Sequence, residues 1–110
     1  MHLHHKKCKS CEDKDTKRMS RDEINTYLSE VPGWELSSDE KEISKEFVFD
    51  TFIGSIDFIN QVADIAEMEG HHPDIYCFFN KVKLSCSTHS IGGLTENDFI
   101  LASKIDGMLM

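Results

Sequence analysis

The longest periodic signal in the chain is a run of apolar residues at helical spacing. Phe52, Ile56, Ile59, Ala63 and Ala66 recur at intervals of three and four, and Phe58, Val62 and Ile65 widen the stripe. This spacing predicts a helix over residues 51–69, capped by Asp50 or Thr51. Gly70 stands where a left-handed residue ends a helix, and Pro73 biases His72 toward extended backbone. A face this wide needs a sheet or another subunit to cover it.

The rest of the chain supplies the sheet. Ser20 and Glu23 form a capping-box pattern ahead of Ile24, Tyr27, Leu28 and Val31, which predicts a helix over 21–30 stopped by Pro32-Gly33. Trp34 and Leu36 alternate with polar residues, and after a turn at 38–40 Ile43, Phe47 and Phe49 share one parity, with Lys45 interrupting them. These two runs read as a hairpin. Residues 75–79 read as a third strand, with a tight connection at Asn80-Lys81. In the fourth, Val82, Leu84, Cys86 and Thr88 share a face. Gly92-Gly93 breaks that run, and Thr95 with Asp98 resembles another helix start before Leu101, Ala102, Ile105, Met108 and Leu109. The order helix-strand-strand-helix-strand-strand-helix predicts an α+β two-layer domain: a four-stranded antiparallel sheet with three helices on one face.

The 110 residues suit one core, and a 39% hydrophobic content is too high for a disordered acidic chain. The net charge of −8 disfavours direct nucleic-acid binding and anionic membranes. No run of about 18 apolar residues exists to cross a bilayer. Residues 1–19 are rich in charge and nearly devoid of aliphatic groups, so they are expected to form a disordered, dispensable tail ahead of a domain at 20–110. With no apolar signal segment, a cytoplasmic protein with reduced Cys8, Cys11, Cys77 and Cys86 is expected, with nuclear presence allowed in a eukaryote. His2, His4 and His5 precede the Cys8-x-x-Cys11 spacing, which would suit zinc, but no second ligand pair sits on a folded element, and no metal site is assigned.

The chemistry-bearing cluster is Glu67, His71, His72, Asp74 and His89. All but Glu67 fall at loops or element ends, where functional residues concentrate. Imidazoles exchange protons near neutral pH, so two or three around one substrate supply general acid and base. Glu67 could orient an imidazole or simply continue an exposed helix face. Asp74 could position His72 or a ligand, or stabilise the turn after Pro73. Each histidine is also readable as a surface or capping residue, and spacing alone does not separate these uses.

The stretch EMEGHHPDIYCFFNKVKLSCSTHSIGGLTENDFILASKID strongly resembles the pterin-4a-carbinolamine dehydratase family. Glu67, His71-His72-Pro73, Phe79, His89 and Asp98 fall at that family's intervals, and the likeness reaches back through Phe58, Phe47 and Trp34 to cover roughly residues 20–110. Ile75 departs from it, standing where relatives often carry an aromatic.

The resemblance implies a lyase that dehydrates 4a-hydroxytetrahydrobiopterin to quinonoid dihydrobiopterin in pterin recycling, with no metal or organic cofactor. It implies acid–base work for His71 and His89, with His72 also at the catalytic site but mainly holding the pterin. Glu67, Asp74, Ser87 and Thr88 are the further candidate substrate contacts, with backbone groups at 87–89 expected to reach the flat ring. Pro73 and Asp98 are expected to be structural, Asp98 as a helix cap. The family also implies a homo-oligomer, with a tetramer favoured over a dimer. A second function class is a protein-interaction module, either a dimerisation cofactor of a transcription factor or an enzyme assembly factor.

Overall fold

In a computed structural model, which describes residues 3–8 and 18–109, seven main elements follow the expected order. They are α1 (Arg21–Leu28), β1 (Glu35–Leu36), β2 (Ile43–Val48), α2 (Phe52–Glu69), β3 (Asp74–Phe78), β4 (Lys81–Cys86) and α3 (Glu96–Gly107). The strands form one antiparallel sheet in the order β1-β2-β4-β3. This is the predicted α+β arrangement. None of the helices among the described residues is long and apolar enough to cross a membrane.

Local chemistry sets the helix ends. At α1 the Glu23 N–H donates to Ser20 Oγ, and the Ser20 N–H donates to Glu23 Oε1 at 3.1 Å, which satisfies two otherwise orphaned donors. At α2 the Thr51 hydroxyl oxygen accepts the Gly54 N–H at 3.0 Å. Gly70 closes the same helix at φ +68°, a conformation that costs glycine little and a Cβ-bearing residue more.

The core lies between the helices and one sheet face. Ile43, Phe47, Val82, Leu84 and Cys86 point into it from β2 and β4. Phe58 of α2 packs between Phe47 and Phe49, with ring centroids 4.7 and 5.0 Å away. Lys45, the polar interruption in β2, turns its ammonium to Asp106 at 3.1 Å, and the same carboxylate accepts the Trp34 indole N–H.

Several expectations need correction. The buried face of α2 is Ser55, Phe58, Val62 and Ala66, not the stripe that begins at Phe52. Phe52 and Ile53 are exposed, Ile56 and Ile59 half-buried. Ten of the 18 residues of α2 are apolar, too many for one side, and the sheet covers only the part turned toward it. The second hairpin turns at Phe79-Asn80, one residue earlier than expected. Asn80 is tied to Phe49 by a backbone bond and a side-chain bond, and Phe79 takes φ +53°, an unusual value for so large a residue.

Of the tail expected over residues 1–19, only residues 3–8 and 18–19 are described. Residues 3–5 form a 3-10 turn against α3, and Leu3 is only 2% exposed within the core cluster, so this part of the range is packed. One leucine suffices because α3 offers apolar groups away from the sheet as well: Phe99, Ile100, Leu101 and Ala102 are successive residues, and all are buried. His2 and Cys11 of the zinc-like pattern lie outside the described residues.

Candidate active site

The strand register brings the histidines together. Asp74 pairs with Ser85 across β3 and β4. That is the last pair at this end, so His71 and His72 just before it and Ser87, Thr88 and His89 just after β4 emerge at the same end of the sheet and line one cleft. Gly70 ends α2 immediately before His71, so the helix delivers both histidines to the end of β4. After β4 the chain folds back on itself: Thr88 bridges Gly93, and Gly92 at φ +71° allows the tight return. His89 stands at the start of that loop. A cleft of about 180 Å³ results, lined by Gly70, His71, His72, Ser87, Thr88, His89 and Ser90.

The histidines occupy different environments. His71 is buried, and its Nε2 lies 2.6 Å from Oδ1 of the fully buried Asp98. With Nε2–H donating to the carboxylate, Nδ1 is the ring nitrogen left for proton exchange. His72 is exposed, with Nε2 2.8 Å from Glu67 Oε1, itself 78% exposed. Solvent screens that pair heavily. His89 is exposed at the cleft.

Asp98 is the organising group. Its Oδ2 accepts the Thr88 hydroxyl at 2.9 Å and the Thr95 N–H at 3.0 Å, while Oδ1 takes His71. The Thr95 hydroxyl lies 2.9 Å from Thr88 Oγ1 and completes the network. The expected capping role is therefore present, and the same carboxylate also holds the imidazole of His71. A buried carboxylate with three donors is well compensated, and each partner is fixed in turn.

Thr88 lines the cleft, but its hydroxyl is engaged with Asp98 and Thr95. Its N–H donates to the Gly93 carbonyl, and its own carbonyl accepts from Ile91 and Gly92. Thr88 is thus loop scaffold, which leaves Ser87 and Ser90 as the polar lining better placed to meet a ligand. Asp74 is the exposed first residue of β3, and neither it nor Glu67 is part of the cleft lining. Pro73 leads into the strand. Sequence reasoning missed Ser90 and the His71–Asp98 bond. The capping-box spacing signalled that Thr95 and Asp98 meet, but nothing local signals a pair 27 residues apart.

A larger depression of about 550 Å³ is lined by Gly33, Glu35, Ser44, Lys45, Glu46 and Lys83. Its ionisable groups are only lysines and glutamates, with no imidazole to exchange protons near neutral pH. The smaller cleft is the one that gathers the imidazoles of His71, His72 and His89.

Comparison with known proteins converges on one family. The model of the pterin 4 alpha carbinolamine dehydratase family matches residues 17–108. The chain is 45% identical over 104 residues to pterin-4-alpha-carbinolamine dehydratase 2, mitochondrial, of Arabidopsis thaliana, covering 92% of this chain and 56% of that protein. The chain thus spans just over half of the Arabidopsis protein's length. A Hydrogenovibrio crunogenus relative, provisionally named a pterin-4-alpha-carbinolamine dehydratase, is 40% identical, with 94% of this chain and 93% of the relative covered. Among solved structures, a transcriptional coactivator/pterin dehydratase from Brucella melitensis superposes with a TM-score of 0.79 at 32% identity, covering 84% of this chain and 98% of that one. A pterin dehydratase-like protein described as a RuBisCO assembly factor in the alpha-carboxysome shares the fold, with a TM-score of 0.59 at 21% identity, over 69% of this chain and 88% of that one.

Proposed function

The chain belongs to the pterin-4a-carbinolamine dehydratase family, and from that premise we propose that its cleft dehydrates 4a-hydroxytetrahydrobiopterin to quinonoid dihydrobiopterin. The observation that carries this reading is the buried Asp98–His71 pair in a cleft that also contains His72 and His89. The chemistry asks for a proton donor at the 4a-hydroxyl and a proton acceptor at nitrogen. A protonated imidazole donates to the hydroxyl, the C4a–O bond breaks, and water leaves. The N5 lone pair closes the N5=C4a bond, and the proton released from N5 passes to a neutral imidazole. One water is lost and no electrons are transferred, so the step as written needs no redox cofactor, and imidazole supplies the acid without a metal.

His71 and His89 take the two proton-transfer roles in this proposal. Asp98 holds the His71 ring in one orientation, as a carboxylate does behind a catalytic imidazole. His72, paired with exposed Glu67, holds the pterin, with polar contacts from Ser87 and Ser90. The test is turnover of synthetic 4a-hydroxytetrahydrobiopterin by chelator-treated protein, followed by absorbance. A rate well above buffer with a bell-shaped pH dependence is expected. A rate equal to buffer from folded protein would refute the reading.

We also propose a homo-oligomer, a tetramer in preference to a dimer. Two exposed apolar surfaces support it: Phe52 and Ile53 on α2, and Tyr76, Phe78 and Phe79 along and beside the edge strand β3. Exposed edge strands invite pairing with another chain. Light scattering should give four times the chain mass. Twice that mass would leave one surface unused, and the mass of a single chain at all concentrations would overturn the proposal.

The interaction-module reading draws on the same α2 surface. Phe52 and Gly70 lie at opposite ends of an 18-residue helix, about 27 Å long, so a partner at Phe52 would leave the cleft open.

A further inference from the structure

The family match starts at residue 17, yet the docked residues 3–8 touch the two segments that carry the His71–Asp98 pair. The Cys8 N–H donates to Glu69 Oε1 at 2.9 Å, and the Cys8 Sγ–H donates to the Asn97 carbonyl at 3.6 Å. Glu69 lies two residues before His71, and Asn97 lies one before Asp98. The Lys6 ammonium reaches Glu96 at 3.1 Å, and Leu3 is buried against α3. Glu69 itself is 6% exposed at its side chain, and its second oxygen accepts from Lys104 of α3 at 2.9 Å. Burial alone would push its carboxyl up, but the Lys104 and Cys8 donors hold it below the usual carboxylate range. Glu69 is therefore charged at neutral pH and bonds to two separate parts of the chain. Farther on, the Met19 N–H donates to the Leu94 carbonyl at 2.8 Å. The Arg18 stem lies so close to Gly93 that a Cβ there would come within 2.6 Å of it. Residues 3–8 and residues 18–19 thus contact segments that adjoin the cleft, without lining it.

We propose that residues 3–8 are a positioning element for the His71–Asp98 pair, anchored by Glu69 where the end of α2 meets the start of α3. The proposal rests on the dehydratase reading of the cleft. The two partners of a 2.6 Å bond sit on different elements, so the bond is only as well aligned as the junction between those elements. A misplacement of about 1 Å at a reacting group can cost as much as about 100-fold in rate. Asp98 is fixed by its own network, but the backbone at 69–71 follows the last turn of α2, and Glu69 pins that turn to α3 and to the strap. Glu69 and Cys8 are positioning residues; neither lines the cleft.

The test uses the full-length protein and separates the Cys8 backbone donor from its side chain. Cys8→Pro removes the N–H that Glu69 accepts, while Cys8→Ala keeps it. Leu3→Asp expels the strap from the core, and Glu69→Ala removes the anchor. Turnover, KM, melting temperature and the His71 and His72 ring-nitrogen NMR signals are measured for each, well below the melting temperature. Cys8→Pro and Leu3→Asp are expected to lower kcat about 5- to 10-fold with KM within about twofold. Cys8→Ala should behave as wild type. Cys8→Pro combined with Glu69→Ala should fall no further than Glu69→Ala alone, the non-additivity of groups acting through one contact. The His71 signal should move while that of His72, held by Glu67 on the exposed side, stays put. Undocking the strap without changing kcat or the His71 signal would overturn the proposal, as would a loss of rate that tracks only the unfolded fraction. Wild type without turnover would refute the dehydratase reading instead, and the His71 and His72 signals would still decide whether the strap positions the pair.

Discussion

Replacing His71 by glutamine together with His89 by alanine is expected to lower turnover about 1000-fold, within the 10²–10⁴ range that positioned acid–base groups supply. Glutamine is chosen because its amide N–H still offers a donor to Asp98, so the buried carboxylate keeps a partner and the fold is spared. His89 is exposed, and its truncation should cost the fold little. Each single variant should retain more activity than the double, because the remaining imidazole still exchanges one proton. His72→Ala should act chiefly on KM, since His72 and Glu67 form an exposed pair without a buried carboxylate behind the ring. Initial rates on 4a-hydroxytetrahydrobiopterin, with circular dichroism to confirm folding, decide the matter. A double variant that turns over at the wild-type rate would remove both histidines from the mechanism.

Asp98→Ala should be the most damaging single substitution to the fold. It would strand the His71 Nε2–H and the Thr95 N–H in an interior where Asp98 itself has no exposure, and leave the Thr88 hydroxyl only Thr95 Oγ1 as a partner. A buried donor left without its acceptor costs about 1–3 kcal/mol. Two such losses give an expected destabilisation of about 4 kcal/mol, which for a domain of this size is a melting-temperature drop of about 15–30 °C. Asp98→Asn keeps the shape and one acceptor oxygen, so about 2 kcal/mol is expected, less than for alanine. The chemistry separates the two roles of Asp98 further. Asparagine cannot balance the charge on a protonated His71, so kcat should still fall about 100-fold in protein that is fully folded at the assay temperature. Thermal unfolding and single-turnover rates on the two variants check both halves. An Asp98→Asn variant with unchanged kcat would reduce Asp98 to a helix cap.

What was legible in the chain before its structure follows a rule of distance. The capping boxes at Ser20–Glu23 and Thr95–Asp98 each link residues three apart, and both are formed. Gly70 needed only its own backbone freedom. The antiparallel α+β order followed from alternation and turn residues, again local signals. The His-His-Pro motif marked the cleft because its chemistry is written in consecutive residues.

Contacts made across the fold were not legible. The apolar surface of α2 is wider than the sheet can cover, so periodicity could not tell the buried Phe58–Val62–Ala66 side from the Phe52–Ile53 side left exposed. Residues 1–19 looked too polar to dock, yet the few apolar atoms of Leu3 found a surface of α3 away from the sheet. Cys8 looked like half of a metal motif. Burial, followed by the neighbouring Glu69 charge, pushes its thiol up to about 12, so it stays protonated and acts as a donor.

The sequence by itself determined where helices begin and end, how many strands there are, and which consecutive residues bring imidazoles to the cleft. These properties depend on bonds and side-chain spacing within a few residues, and no distant partner overrules them. Only the tertiary structure decided that Asp98 serves His71, that Thr88 supports the loop more than the ligand, and that the amino-terminal segment clasps the junction of α2 and α3. Those outcomes depend on which surfaces meet when the chain closes. A carboxylate 27 residues from an imidazole becomes its partner through the strand register and the docking of α3, neither of which is visible at either residue.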